Sequence, residues 1–300
     1  PRYSSSAASD VYKRQLVTFM VGSSNITNPW PFLLPALMLS CLFFLLPTIN
    51  MIFLSLTSES GLGFGNFRDF FATPHLTQAL MRSLLVALFS TLIAGFVAWP
   101  LAYFIVFCVK EKWRPLFLLA ILAPFWTSFT IRAFSWQLVL SDNGVIAWLI
   151  EQLTGLSIAL GFLYTMKASV FGLALFGSML CTFTLYGALV SIDKKVIEAA
   201  STLGAKPLQI FRDIILPLGL PGWLAGIVLS FIVCIGDYAV PTLLGGGLKP
   251  VLAQIMLSVL KGTYNLSQAA TIATILATTV IICAAPLVLL RHIFRRSILA

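Results

Sequence analysis

Few residues in this chain could do chemistry, and their neighbours limit what that chemistry can be. Asp237 lies in VCIGDYAVP, an acid inside an apolar run. At mid-membrane a carboxylate costs roughly 2.5–3.5 kcal/mol on insertion scales, and less near an interface. Asp237 should therefore face a cavity or a cation. Either it lines a path and attracts an ammonium group, or it caps a helix or pairs with Arg132 or a partner subunit. In the first arrangement Tyr238, Phe125, Trp126 and Trp136 could add cation–π contacts. Arg132 complicates that arrangement, because a fixed positive charge repels a cationic ligand. It could instead snorkel to the interface or pair with Asp237. Lys167, which opens an apolar stretch, reads as an interfacial anchor.

Other chemistries lack their residues. His75 and His292 lie in loops without a partner set. Cys41, Cys108, Cys181, Cys234 and Cys283 fall singly in five apolar stretches, with no CxxC pair, so neither a metal site nor a disulfide framework is expected. No Ser/His/Asp cluster marks an enzyme. No GxxxxGK[ST] phosphate loop occurs, so the chain itself is expected to bind neither ATP nor any other cofactor.

The most ordered polar segment is SIDKKVIEAASTLGAKPLQIFRDIILPLGLPG, residues 191–222. Asp193 is placed to cap a helix over Val196–Leu203, and Gly204 to end it in the left-handed conformation. Pro207 suits the first position of a second helix, Pro207–Leu216, with Leu208, Phe211 and Ile215 on one face. Pro217 and Pro221 are expected to break that helix before the next span. The segment is too apolar for a solvated linker. Something should cover Ala199, Ala200, Leu203 and Ile210, and Glu198 offers one charge to orient it.

The elements that hold these residues are membrane spans. The chain is 59% hydrophobic and 10% charged over 300 residues, against about 25% charge in soluble domains. Crossing about 30 Å of hydrocarbon takes about 20 apolar residues. Six stretches qualify, at about Trp30–Leu56, Ser83–Val109, Leu116–Leu140, Ala168–Val190, Pro221–Val240 and Ala269–Leu290. SDNGVIAWLIEQLTGLS, between the third and fourth, predicts a short interfacial helix. PTLLGGGLKP, between the fifth and sixth, reads as a Gly/Pro loop, and GLGFGNFRDFFATPHL, after the first, as a polar connection. Residues 1–15, PRYSSSAASDVYKRQ, have no apolar period and do not form a signal peptide. They read as a disordered or artefactual segment before a single transmembrane domain over 16–300.

Thirteen of the nineteen Lys and Arg residues fall at the two termini and in the 110–114 and 191–219 loops. The positive-inside rule places that side, and both termini, in the cytoplasm. The net charge of +9 is spread in short clusters beside apolar runs, which suits an anionic lipid surface and not nucleic acid.

With these residues in place, the 191–222 segment resembles the EAA loop of permeases in binding-protein-dependent ATP-binding-cassette (ABC) importers. The family pattern is Glu-Ala-Ala, three residues, Gly, nine residues, Ile, one residue, Leu-Pro, matched here by Glu198, Ala199, Ala200, Gly204, Ile214, Leu216 and Pro217. PFWTSFTIRAFSWQLVL (124–140), GFLYT (161–165) and GDYAVPTLLGG (236–246) look like the polyamine (spermidine/putrescine) branch. The resemblance implies an all-α integral membrane fold of about six helices, the type I importer fold of methionine-type (MetI-like) permeases, in a bacterial inner membrane. It implies a non-catalytic subunit forming half of a translocation path. ATP and Mg would be bound by separate ATPase subunits that dock on the Glu198 helix. It also implies a second homologous permease, an extracytoplasmic solute-binding protein, and polyamine cargo. An amino-acid derivative, opine or iron as cargo leaves the same machinery in place. A secondary transporter would need more coupling acids within the spans than Asp237.

Overall fold

A computed structural model describes residues 30–58, 61–155 and 161–299. Residues 1–15 lie outside the described residues. The chain divides into two units, Pro1–Met51 and Ile52–Ala300. The first holds most of α1 (Leu33–Leu56), whose side chains are exposed from Leu33 to Asn50. That is the state expected of a lipid-facing span. The Thr48 hydroxyl donates back to the Phe44 carbonyl at 2.6 Å, so this polar group is satisfied without water.

The second unit is helical apart from a two-residue antiparallel pairing of β1 (Thr57–Ser58) with β2 (Gly61–Leu62). Helix α2 (Gly65–Ala72) leads to α3 (Pro74–Cys108). Then come α4 (Arg114–Leu122), α5 (Phe129–Leu140), α6 (Val145–Thr154) and α7 (Met166–Val190). The 191–222 segment forms α8 (Lys194–Thr202) and the start of α9 (Pro207–Gly236). Helices α10 (Ala239–Gly245), α11 (Leu252–Gly262) and α12 (Leu266–Leu299) complete the chain. Among the described residues, five helices are long and apolar enough to cross a membrane, or six if one bent pair counts as a span.

Four expectations need correction. The third span is not one helix. Glu111–Trp126 and Phe129–Thr154 meet at 98°. Pro124 lacks an N–H and tightens the chain to a 3₁₀ turn over Ala123–Trp126, after which Thr127 and Ser128 are extended. Pro217 and Pro221 do not break the helix before the fifth span, which runs unbroken from Pro207. A π-turn over Phe211–Ile215 precedes Pro217, and its wider register makes room for the ring. The second span begins nine residues early, at Pro74, where Pro takes the first helical position. The expected Gly/Pro loop PTLLGGGLKP is half helix, since α10 runs to Gly245, and the stretch after it carries α11, which the hydropathy pattern did not isolate.

Packing in the second unit uses small residues. Along α3, Ala79, Ser83, Ala87, Ser90, Ala94, Ala98 and Ala102 recur every three or four positions and are all buried. Between helices in lipid, close backbone approach replaces the hydrophobic drive available in water. Gly226 on α9 faces α7, and a Cβ there would lie 2.7 Å from the Cys181 Cα. Cross-helix hydrogen bonds fix the register. The Trp223 indole donates to the Gly95 carbonyl at 2.9 Å, and the Ser230 hydroxyl to the Gly177 carbonyl at 2.9 Å. The buried side chains form two clusters. One joins α3, α7, α10, α11 and α12 around Leu244, Leu252 and Ile272. The other joins α3, α7 and the start of α9 around Leu185, Leu189 and Ile215.

Candidate functional site

Helix α8 is built by local rules. The Asp193 carboxylate accepts from the Lys195 N–H at 3.0 Å and caps its start. At its end Ala205 N–H donates to the Ala200 carbonyl and Gly204 N–H to Ser201, both at 3.0 Å. This is the paired closure that needs a left-handed residue, and Gly204 supplies it with φ +86°. Gln209 then accepts from the Lys206 N–H at 2.7 Å, opening α9 with Pro207 in the first turn.

The helix has two apolar faces with different fates. Ile197 and Ala200 pack on the second cluster. Val196, Ala199 and Leu203 face out, and Leu203 is 89% exposed. Glu198 is exposed beside them. Of the residues expected to be covered, Ile210 is buried by this chain alone, while Ala199 and Leu203 are left open. Ile214 packs on the second cluster, and Leu216 and Pro217 are partly exposed. Phe211 wedges edge-on against Trp99 (5.7 Å) and Tyr103 (5.9 Å) of α3. Lys194 is ion-paired and hydrogen-bonded to Glu111, just before α4. The α8 segment is therefore tied to the connection between α3 and α4, with one face left open.

The expected path residues do not form one box. Asp237 follows α9 and accepts from the backbone N–H groups of Ala239 (2.9 Å, Oδ1) and Val240 (3.3 Å, Oδ2), capping α10. No ion pair joins it to Arg132 among the described residues. Arg132 lies over the Phe129 and Phe176 rings, 5.1 and 4.9 Å from their centroids, and donates to the Thr127 carbonyl at 3.0 Å. Phe125 stacks on Phe176 at 5.1 Å, and Trp136 meets Phe171 edge-on at 5.3 Å. Trp126 and Tyr238 keep exposed rings, 75% and 47%. Phe125 and Arg132 therefore converge on Phe176, while Asp237 and Trp136 are engaged elsewhere.

Sequence reasoning missed a polar cavity of about 510 Å³ between α2 and the start of α12, lined by Asn66, Asp69, Thr73, Asn265 and Gln268 among others. Its only signal was a set of amides and hydroxyls in two connections far apart in the chain. Asn66 joins them directly, donating to the Ser267 hydroxyl at 2.9 Å.

Small-residue packing of long apolar helices, a bent span and a two-helix connection with an open face define a helical integral membrane protein. The chain belongs to the family of binding-protein-dependent transport system inner membrane components, whose model matches residues 16–298. It is accordingly a multi-pass inner-membrane permease subunit of an ABC importer and not an enzyme. It is 31% identical to the inner membrane ABC transporter permease protein YdcU of Escherichia coli K12, over 61% of this chain and 67% of that protein. It is 31% identical to the spermidine/putrescine permease PotB of the same organism, over 61% and 66%, and 30% identical to PotB of Haemophilus influenzae, over 74% and 80%. The match thus spans about two thirds of the length of the E. coli relatives. Among solved structures, a bacterial ABC transporter importing the acidic polysaccharide alginate shares the fold, with TM-score 0.70, 16% identity, and coverage of 96% of this chain and 99% of that one. The inward-facing methionine transporter MetNI shares it with TM-score 0.56 and 18% identity, over 73% and 96%.

Proposed function

We propose that this permease takes its driving motion from a separate ATPase through α8, and that its cargo is a polyamine or similar small cation. The observation that carries the coupling reading is the division of α8, with Ile197 and Ala200 seated on the chain's own core while Val196, Ala199 and Leu203 face out around Glu198. Small residues at the centre of an open apolar face suit close approach by a groove on another protein, and one acid orients it. Ile197 and Ala200 of α8 and Phe211 of α9 pack on one cluster with α3 and α7. A rigid-body displacement at α8 would then reach the spans.

ATP and Mg belong on the ATPase. A second homologous permease would supply the other half of the path, and an external binding protein would deliver cargo. The polyamine reading rests on relatives that transport spermidine and putrescine and on the free rings of Trp126 and Tyr238. Asp237 contributes negative charge beside Tyr238.

The test is Glu198→Arg in the transporter reassembled with its partners in proteoliposomes. Reversing a charge at a docking face costs several kcal/mol. Spermidine uptake is expected to fall by at least roughly tenfold, while the permease still inserts and folds. Wild-type uptake in that variant removes the docking role. Wild-type protein that hydrolyses ATP without moving spermidine removes the cargo assignment and leaves the coupling role standing.

A further inference from the structure

Two cavities outside the proposed coupling face are adjacent and share lining residues. Between α3 and α7 runs an apolar groove of about 670 Å³. Leu85, Phe89, Ile93 and Val97, every fourth residue of α3, form one wall and are 37–53% exposed. Val170, Ala174 and Leu175 of α7 lie along the other. From Leu85 to Val97 the helix rises about 18 Å, close to the roughly 15 Å depth of one leaflet. Next to one end of the groove lies a second, more polar cavity of about 480 Å³, whose lining includes Tyr164, Thr165, Lys167, Lys249 and Gln254. The two share Val86, Met166 and Lys167.

We infer that this composite cavity binds one anionic phospholipid, with an acyl chain in the groove and the headgroup phosphate on Lys167 and Lys249. Three observations select that occupant. The lining becomes more polar toward one end, as a lipid does. Two cations line the polar end, no acid lines either cavity, and neither lysine is in an ion pair among the described residues. Lys167 sits in the first turn of the α7 span, at the depth where a lysine meets a headgroup. A lipid against a convex surface meets neither a concave wall nor paired cations, so this site discriminates by headgroup charge. The leaflet is the one opposite α8, because α7 begins at the end of the bundle away from that helix.

The full-length protein, purified in neutral detergent, is titrated with phosphatidylglycerol, with phosphatidylcholine of the same chains, and with inorganic phosphate. Thermal unfolding and native mass spectrometry report binding. Phosphatidylglycerol is expected to stay bound and raise the unfolding midpoint above the value in phosphatidylcholine, and phosphate alone is expected to do nothing. With both lysines changed, Lys167→Gln and Lys249→Gln, apparent affinity should drop about thirtyfold, to the phosphatidylcholine level. Val97→Trp, which narrows the groove and leaves the cations in place, should weaken both lipids. Equal effects of the two lipids on the wild-type protein overturn the inference without need of any variant. Stabilisation by phosphate alone reduces the site to a small-anion pocket and also overturns it. So does loss of retained phosphatidylglycerol on assembly with the partner permease, which would assign the groove to a subunit interface.

Discussion

Asp237 uses both carboxylate oxygens on the backbone of α10, so its helix-cap role and its charge can be separated by chemistry. Asparagine caps about as well as aspartate, whereas alanine costs about 0.5–2 kcal/mol at such a position. Asp237→Ala is expected to lower the unfolding midpoint. Asp237→Asn is expected to leave that midpoint unchanged and to reduce spermidine uptake severalfold in proteoliposomes, because only the charge is gone. Unchanged uptake in Asp237→Asn would make the cap its whole role. Arg132 bears on the same question. Its guanidinium rests on Phe129 and Phe176, so Phe125, stacked on Phe176, shares its ring partner with a resident cation. The aromatic surface left for a cationic cargo is that of Trp126 and Tyr238. The sequence marked Asp237, Tyr238, Phe125 and Trp126 as candidates and Arg132 as their complication. Which rings were already engaged depends on Phe176, buried, and Phe171, partly buried, residues of α7 that carry no sequence signal of their own.

At the scale of elements, legibility followed the range of the forces involved. The α8 segment obeys neighbour rules, and its cap Asp193, its terminator Gly204 and the following Pro207 are all where the spacing put them. The third span is different. Hydropathy averages over a window and passes through Pro124 without registering that one missing N–H and two extended residues turn the chain by 98°. Pro217 misled in the opposite sense, since a π-turn five residues long absorbs it. Gly204 gives a direct test at this scale. Its φ of +86° costs an L-residue about 1–2 kcal/mol, more for a β-branched one. No side chain lies within 4 Å of where its Cβ would be, so the penalty is backbone strain and not a clash. Gly204→Val is therefore expected to disturb the end of α8 while the bundle stays folded. Insertion and unfolding temperature should be near wild type, with uptake reduced severalfold. Equal loss of folding and uptake would show that the turn supports the core and not the open face.

Across the whole molecule, α9 fixes the geometry on which orientation turns. It runs 30 residues from Pro207 to Gly236 without interruption, about 45 Å at 1.5 Å per residue, more than the roughly 30 Å hydrocarbon layer. The α8 connection at one end and the 246–250 connection at the other must then lie on opposite sides of the membrane, whichever side is which. Lys194, Lys195, Lys206 and Arg212 surround the first, and Lys249 is in the second, so the positive-inside rule predicts that α8 is on the cytoplasmic side. Leu203 and Leu248 are suitable reporters, being 89% and 85% exposed and outside both cores. With Cys41, Cys108 and Cys283 replaced by alanine, Cys181 and Cys234 remain buried and unreactive. In that background a membrane-impermeant maleimide should label Leu248→Cys on intact spheroplasts and Leu203→Cys only after permeabilisation. The reverse pattern would invert the molecule and remove α8 from the compartment that holds ATP, ending the coupling assignment. Labelling of both from one side would mean that α9 does not cross, and would remove the physical basis for relating the two connections. The expected pattern places the open face of α8 where an ATPase can reach it, and Asp237, Tyr238 and the lysine-lined cavity on the side from which cargo arrives.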